Sequence, residues 1–301
     1  MTATPKRVLV FLGLLATLAV AAGRVIIIEY PHGTRSGNLR YGPWVYTASQ
    51  PGGIRGRVGN LEIAASKAVL EAPKGKSMQA AEGERVATFE GGVVVRRGRL
   101  TARGPKLVYR EATGVGRLFG PATMVQAPEK EGQDEVRVEA QKAMAFDVDD
   151  DTSESEGAVR LVSGRQEGRA ERVYYEEGRA LAVFTTPGGR VRLVRHRKEG
   201  GDLVIEAEEA RLLAHQKKLL ATGGVVLTDG DLVTKGEGLF YDDATGEAIV
   251  VGRPAVSQNP KKGRKLSAGT LLHDVNKHRV RLYGRPFKLP LEDFRTKHEA
   301  P

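Results

Sequence analysis

The sequence predicts an elongated all-β protein built of stacked hairpin repeats behind an apolar N-terminal segment. Three landmarks return about every 66 residues: a glycine that opens an apolar run, a tyrosine, and a proline that closes the unit. They are Gly91, Gly157 and Gly223; Tyr109, Tyr175 and Tyr241; and Pro121, Pro187 and Pro254. A fixed period of this length is typical of supersecondary units that stack around one continuous core. We expect repeat units at about residues 85–150, 151–217 and 218–290.

Within these units the apolar residues alternate with polar or small ones. The period of two extends from about Leu61 to Leu289 and is clearest at residues 203–207 and 219–227. Turn-forming pairs such as Asp229-Gly230 interrupt it repeatedly. Alternation between turn signals indicates half-buried antiparallel strands.

Pairs of alanines spaced three apart precede the run that leads to each repeat glycine. They are Ala65 and Ala68, Ala140 and Ala143, and Ala207 and Ala210. Small residues at one point of every unit indicate a tight corner where a larger side chain would not fit. Each unit is therefore expected to contain two hairpin-like halves.

The N-terminus predicts export from the cytoplasm. Lys6 and Arg7 precede fifteen uncharged, mostly apolar residues, 8–22, which end in small residues at cleavage spacing. This is the layout of a secretory signal. The alternative is an uncleaved inner-membrane anchor over residues 8–28, in which Arg24 reaches the interface. Residues 1–28 are thus assigned to a signal peptide or anchor, and the body to the periplasm or cell envelope.

Proline and glycine punctuate residues 29–55, which are therefore predicted to be a linker. The β body is expected to occupy residues 56–290, and residues 291–301 to form a tail.

Composition and motifs exclude several kinds of chemistry. The 301 residues include no cysteine, so disulfides, zinc–thiolate sites and cysteine nucleophiles are ruled out. The six histidines show neither metal-ligand spacing nor the 66-residue period, and we interpret them as surface residues. Residues 147–158 imitate a calcium loop but lack its central glycine and final glutamate. We expect no catalytic site, no metal and no cofactor, and hence a protein that is not an enzyme.

The repeats resemble the OstA-like family, the LptA–LptC type of periplasmic lipopolysaccharide-transport proteins. The similarity rests on a small residue, Tyr-Asp, a turn, Gly and an apolar strand, best seen at residues 222–230 and 238–254 and again at 90–95 with 107–114. It covers about residues 60–290. The resemblance implies an open, V-shaped β jelly roll whose groove binds the acyl chains of an anionic glycolipid and passes them towards the outer membrane. It also implies edge-strand contacts with envelope transport proteins of similar fold, including head-to-tail self-association.

The inward positions of the alternating strands supply candidate residues for a lipid groove. They are Val, Leu, Ile and Tyr, with no recurring ionisable residue, and a groove left open would expose an apolar surface suited to a ligand. The candidates are Val93, Val95, Leu107, Tyr109, Val159, Leu161, Val173, Tyr175, Leu193, Ile205, Val225, Leu227, Leu239 and Tyr241. The alternative is that each of these side chains fills a packed core.

Clusters of basic residues could line the mouth of such a groove, because guanidinium groups bind phosphate and carboxylate in bidentate fashion. The head-group candidates are Arg96, Arg97, Arg99, Arg192 and Arg195, with a further cluster at Lys261, Lys262, Arg264 and Lys265. The alternative is solvated strand faces that protect sheet edges, because acidic runs interleave with the basic ones.

Two rival functions remain at this point. A structural or polysaccharide-binding β-solenoid of the envelope would have a filled core and shorter coils. Nucleic-acid binding is suggested by the net charge of +10. The export signal and the lack of aromatic residues among the basic clusters argue against nucleic acid as a partner.

Overall fold

The computed structural model describes residues 23–197 and 201–299. This part of the chain contains 23 β-strands and two single turns of 3₁₀ helix, Ala214–Gln216 and Glu292–Phe294. Every strand pair whose register is defined is antiparallel. The prediction of an all-β fold of antiparallel strands is therefore confirmed for the described residues, and this arrangement is consistent with a β jelly roll.

The chain divides into two compact units. Among the described residues, the N-terminal unit comprises 23–122 together with 145–150, and the C-terminal unit comprises 123–144, 151–197 and 201–299. Nine strands lie wholly in the N-terminal unit: β1 (Ile27–Glu29), β2 (Gly33–Ser36), β3 (Trp44–Ala48), β4 (Ile54–Val58), β5 (Leu61–Ala65), β6 (Lys67–Glu71), β7 (Val86–Arg97), β8 (Leu100–Arg110) and β9 (Val115–Phe119).

Twelve strands lie wholly in the C-terminal unit, and the unit boundary passes through β10 (Ala122–Gln126) and β12 (Ala143–Asp147). The twelve are β11 (Val136–Ala140), β13 (Thr152–Ser163), β14 (Gln166–Glu176), β15 (Leu181–Thr185), β16 (Val191–Arg195), β17 (Leu203–Ala207), β18 (Glu209–Leu213), β19 (Lys218–Asp229), β20 (Leu232–Asp242), β21 (Glu247–Asn259), β22 (Arg264–Asp274) and β23 (Arg279–Leu282).

The 66-residue period of the sequence is the spacing of three long hairpins. These are β7–β8, β13–β14 and β19–β20, whose strands begin and end at matching positions. Each first strand has a break in register at its midpoint, at Glu90/Val93, Glu156/Val159 and Thr222/Val225. The repeat glycines Gly91, Gly157 and Gly223 sit at these β-bulges with φ of 83°, 85° and 81°. A residue with a side chain would be strained in this left-handed conformation, so the period marks bulges.

In the C-terminal unit the two halves of each long strand belong to different walls of β structure. Wall A consists of β16 and β17 between residues 166–169 of β14 and residues 226–229 of β19. Wall B consists of β15 and β18 between residues 172–176 of β14 and residues 218–222 of β19. The bulge lies where a long strand passes from one wall to the other.

The alanine pairs flank the corner between the two walls, as predicted. Ala207 ends β17 in wall A and Ala210 begins the buried part of β18 in wall B. Between them the Glu208 amide donates to the carbonyl of the bulge residue Gly223 (3.1 Å). A Cβ atom at residue 223 would lie 2.6 Å from Glu208 Cβ, so there is no room for a side chain at Gly223 where the two strands cross.

The structure differs from the prediction for residues 29–55, which are not a free linker. They hold β2, β3 and part of β4, and β3 pairs with β6 while β1 pairs with β4. With β5 and β6 both pairing to β7, residues 27–71 repeat the two-wall arrangement as a partial repeat ahead of the other three. The sequence did not predict this partial repeat because its strands are only three to five residues long and are separated by Pro/Gly turns.

Residues 1–22 of the predicted signal or anchor lie outside the described residues. Residues 25–28, the end of the predicted anchor, belong to the N-terminal unit. Ile26 is buried, and its amide donates to Glu111 Oε1 (2.9 Å). Arg24 forms an ion pair with Asp149 (2.6 Å). Among the described residues there is no helix of the length and apolarity needed to cross a membrane.

The C-terminal strap, residues 286–299, packs on the outer face of wall B. Phe294 is buried against Leu181, Val183, Leu213 and Leu220. Arg211 binds both carboxylate oxygens of Glu299 (2.7 and 2.6 Å). Most of the predicted free tail, residues 291–301, is thus an ordered part of this strap.

Candidate functional site

All fourteen predicted groove residues are buried. Those of the N-terminal unit are Val93, Val95, Leu107 and Tyr109, and those of the C-terminal unit are Val159, Leu161, Val173, Tyr175, Leu193, Ile205, Val225, Leu227, Leu239 and Tyr241. None is more than 4% exposed. The prediction that an open groove leaves these side chains uncovered does not hold in this structure, because the interior is filled by the side chains themselves.

The repeat tyrosines share one role in the interior. Tyr109 donates to the Arg24 carbonyl (2.6 Å), Tyr175 to Gln126 Oε1 (2.5 Å) and Tyr241 to Asp243 Oδ1 (2.7 Å). Burial raises the pKa of Tyr109 and of Tyr241, so these phenols stay protonated. Each ring therefore fills apolar space while its hydroxyl reaches a polar partner.

A small apolar slot remains inside the C-terminal unit. Leu193 and Ile205 of wall A face Leu212, Leu219 and Tyr241 around a volume of about 20 Å³. This volume has room for little more than one water molecule, so the slot as it stands is too small for an acyl chain. Binding of such a chain would require walls A and B to move apart.

One side of the slot carries charge. Glu167 lies there, 2.8 Å from Arg160 Nη2 and 2.7 Å from Arg169 Nε. The hydrogen bond from Arg160, followed by that from Arg169, lowers the pKa of Glu167 to about 2. The carboxylate is therefore ionised and paired at any physiological pH.

The structure separates the five head-group candidates into different roles. Arg96 is exposed and Arg99 half-buried, whereas Arg97 is buried and donates to the Asp147 carbonyl. Arg192 and Arg195 lie in the C-terminal unit.

The two head-group candidates of the C-terminal unit, Arg192 and Arg195, both have carboxylate partners within the protein. Arg192 lies 3.4 Å from Glu206, and Arg195 forms a largely buried ion pair with Asp243 (2.5 Å). Arg97 and Arg195 are structural ion-pair or hydrogen-bonding residues, since buried charges persist only when they are paired. For these two the head-group prediction is wrong.

The surface interpretation of the histidines is wrong for His273. It is fully buried, and its Nε2 lies 2.8 Å from Asp229 Oδ2. His278 Nδ1 (2.9 Å) and Arg197 Nη2 (2.5 Å) contact the other oxygen of the same carboxylate. Burial alone would raise the pKa of Asp229, but the hydrogen bonds from His273 and Arg197 hold it below its ordinary value.

One sequence signal could have located this network. The signal is a polar residue at the last inward position of each long first strand. Asp229 ends β19 at the position that Arg97 and Ser163 occupy in the earlier repeats, and all three are buried. In the described residues no group of three or more His, Asp or Glu side chains is arranged to hold a metal ion.

Comparison with known proteins gives a partial backbone likeness. No family model matches the chain, and no curated protein matches it. Among solved structures, the crystal structure of LptH is similar. It is described as the LptA-homologous periplasmic component of the conserved lipopolysaccharide transport device from Pseudomonas aeruginosa.

The similarity to LptH has a TM-score of 0.38 and 18% sequence identity, and it covers 46% of this chain and 95% of LptH. At this level the likeness carries no conclusion about function, which rests on the residues described above.

Proposed function

We propose that this protein is a non-catalytic carrier that binds the acyl chains of an anionic, lipopolysaccharide-like glycolipid in the cell envelope and passes them on for outer-membrane assembly. The observation that supports the proposal best is the recurrence of buried apolar residues at matching inward positions of all three repeats. Position for position, Val93, Val159 and Val225 recur, as do Leu107, Val173 and Leu239.

Similar apolar residues in each repeat would let an acyl chain move along the interior with little change in its binding free energy. Burial of a methylene contributes about 0.8 kcal/mol wherever along the interior it occurs. A lipid tail that moves from one repeat to the next keeps this contribution nearly constant. The tail enters between walls A and B on the side away from the bulge glycines, because the long strands join the two walls at the bulges, and the parting begins at the apolar slot beside Leu193.

Exposed strand edges support the proposed contacts with neighbouring proteins. β23 pairs only with residues 271–274 of β22, and no strand among the described residues covers the outer edge of residues 264–268. An uncovered edge offers unpaired amides and carbonyls to a further strand. We propose that envelope transport proteins of similar fold, or a second copy of this chain, dock there.

The proposed address is the periplasm, reached through the segment that ends near residue 22. Because Ile26 is buried in the N-terminal unit, an anchor would be limited to the apolar run 8–22, whose fifteen residues are fewer than the roughly 17 needed to span a bilayer. Removal of a signal at this point is therefore proposed over retention of an anchor.

The filled interior favours a second candidate, a structural β protein of the envelope that carries no lipid. The two functions differ in whether the walls must separate. Because the chain has no cysteine, Leu193→Cys with Leu219→Cys creates the only thiol pair, one in each wall of the slot. A short bis-maleimide that joins the two thiols should hold the walls together.

The test measures uptake of a photoactivatable glycolipid before and after this cross-link. A carrier should label well with free thiols and lose most of the label once they are joined. Val225→Asp should also abolish labelling, whereas Val226→Asp, whose side chain points to the opposite face, should not. Equal labelling with joined and free thiols, in a chain shown folded by circular dichroism, would leave the structural function as the better one.

A further inference from the structure

The last repeat carries a large, open and strongly cationic cavity. The cavity has a volume of about 850 Å³ and lies where β21, β22 and β23 end. Six basic side chains line it: Lys262, Arg264, Lys265, Lys277, Arg279 and Arg281. A volume of this size is within the usual range for small-ligand sites.

The acidic residues of the cavity leave most of this charge unbalanced. Only Glu247 and Asp274 are acidic, so six positive charges face two negative ones. Asp274 already pairs with Lys277 (3.3 Å), and Glu247 lies 3.9 Å from Arg281. For Lys262, Arg264, Lys265 and Arg279 the described part of the chain supplies no carboxylate at ion-pair distance. Concave surfaces with one sign of charge concentrate counter-ions of the other sign.

The neutral groups around the cavity narrow the class of ligand. Ser257, Gln258 and Asn259 offer a hydroxyl and two amides, and His278 is held at the wall by Asp229. No aromatic side chain other than His278 lines the cavity, so nucleobases would find no stacking platform. The donors fit a compact, highly charged oxyanion on a polar body.

We propose that this cavity is a binding site for phosphate groups, with Arg264 and Arg279 as bidentate ligands and Lys262 and Lys265 as point charges. Guanidinium groups match the geometry of phosphate oxygens, and lysines add charge without fixed direction. That a glycolipid head group is the natural source of the phosphate rests on the proposed function, whereas the phosphate site itself rests on the cavity alone.

Calorimetric titration of the full chain with inorganic phosphate, then with a phosphorylated glycolipid and its dephosphorylated form, tests the site. The test variant is Arg264→Gln with Lys265→Gln. The matched control is Arg172→Gln with Lys235→Gln, which removes the same charges from exposed strand positions of the same unit outside the cavity. We expect phosphate affinity to fall at least tenfold in the test variant and less than twofold in the control.

The glycolipid arms distinguish the source of the phosphate. Tighter binding of the phosphorylated glycolipid than of inorganic phosphate identifies a head group as the ligand, and equal affinity identifies a free phosphate site. If the protein carries no lipid, the acyl-chain label is lost but inorganic phosphate still binds. If the cavity is not a phosphate site, phosphate does not bind there but the acyl-chain label is unaffected. Equal losses in the two variants, or no phosphate binding by the unaltered chain at millimolar concentration, would overturn the proposal.

Discussion

Strands β9 and β15 occupy the same position in successive repeats, but the outer face of β9 is exposed to solvent whereas the outer face of β15 is buried. In β9 burial alternates, with Gly116 and Leu118 inside and Phe119 37% exposed outside. In β15 the residues from Leu181 to Phe184 are all buried. The difference is the C-terminal strap, whose Phe294 covers Leu181 and Val183.

The comparison shows which residues the repeat holds constant. Inward positions stay apolar in both units because they fill an interior of the same kind. Outward positions change with whatever covers them, so Arg117 in β9 is replaced by Val183 in β15, 66 residues later. The repeat is therefore a property of the interior, and each outer face adapts to its own surroundings.

Removing the strap's buried ring should have the largest effect on this contrast. Phe294→Ala leaves a cavity over Leu181 and Val183, and such truncations of a buried Phe cost about 3–5 kcal/mol. We expect a clear fall in the free energy of unfolding of the C-terminal unit, measured by urea denaturation. Phe119→Ala is the matched control on the exposed face of β9 and should change stability by less than about 0.5 kcal/mol. Similar losses for both would mean that the strap does not cover β15 in solution.

A smaller effect should separate the two residues of one bulge. Gly91 (φ 83°) and Gly92 (φ 71°) are both left-handed, but a Cβ at Gly91 would lie 2.9 Å from Ser66 Cβ, whereas Gly92 has open space. In the next repeat Ala158 occupies the position of Gly92 with φ 43°. Gly92→Ala should therefore cost only the left-handed strain of about 1–2 kcal/mol.

Gly91→Ala should cost that strain and the contact with Ser66 in addition. The melting temperature of each variant is the measurement, with Trp44 fluorescence as the probe because the only tryptophan lies in the N-terminal unit. Equal melting temperatures would show that the corner of this repeat is not tightly packed at Gly91.

The smallest effect concerns acid and the strap. The hydrogen bond from Arg211 lowers the pKa of Glu299 to about 2 from an ordinary 4.5. A carboxyl group whose pKa is lowered by folding stabilises the folded state at any pH above its pKa in the unfolded chain. This stabilisation is lost as the pH falls from about 4.5 towards 2. Glu299 is partly exposed, so the loss should stay below about 1 kcal/mol.

Hydrogen exchange of the Lys297 amide, which donates to Glu176 Oε1 (2.7 Å), reports on this release of the strap. Glu299→Gln should exchange faster at pH 6 and respond less to acid than the unaltered chain. An identical pH response in both chains would show that the Arg211–Glu299 pair does not hold the strap.

Much of the fold could be predicted because its strongest constraints are local. Gly91, Gly157 and Gly223 mark bulges that require left-handed backbone, and the alanine pairs mark corners with no room for larger side chains. Both constraints appear directly as residue types at fixed spacing. The inward alternation of Val225 and Leu227 likewise follows from the period of a strand.

The features that the sequence did not reveal depend on contacts between distant residues. His273 meets Asp229 across 44 positions, and Arg211 meets Glu299 across 88. Neither pair has a spacing that repeats, and the short strands β1–β3 are hidden by Pro and Gly. Whether an interior is open or filled is likewise a matter of the distance between walls, which alternation alone does not set.

The equal spacing of the long hairpins has a consequence for how this protein could have grown. Because each 66-residue block starts and ends at the same point of a long strand, duplication in the gene of one such block would add a complete section without changing the joints on either side. Loss of a block would shorten the chain just as cleanly. Relatives should therefore differ in length by multiples of about 66 residues, with insertions of other sizes confined to the turns.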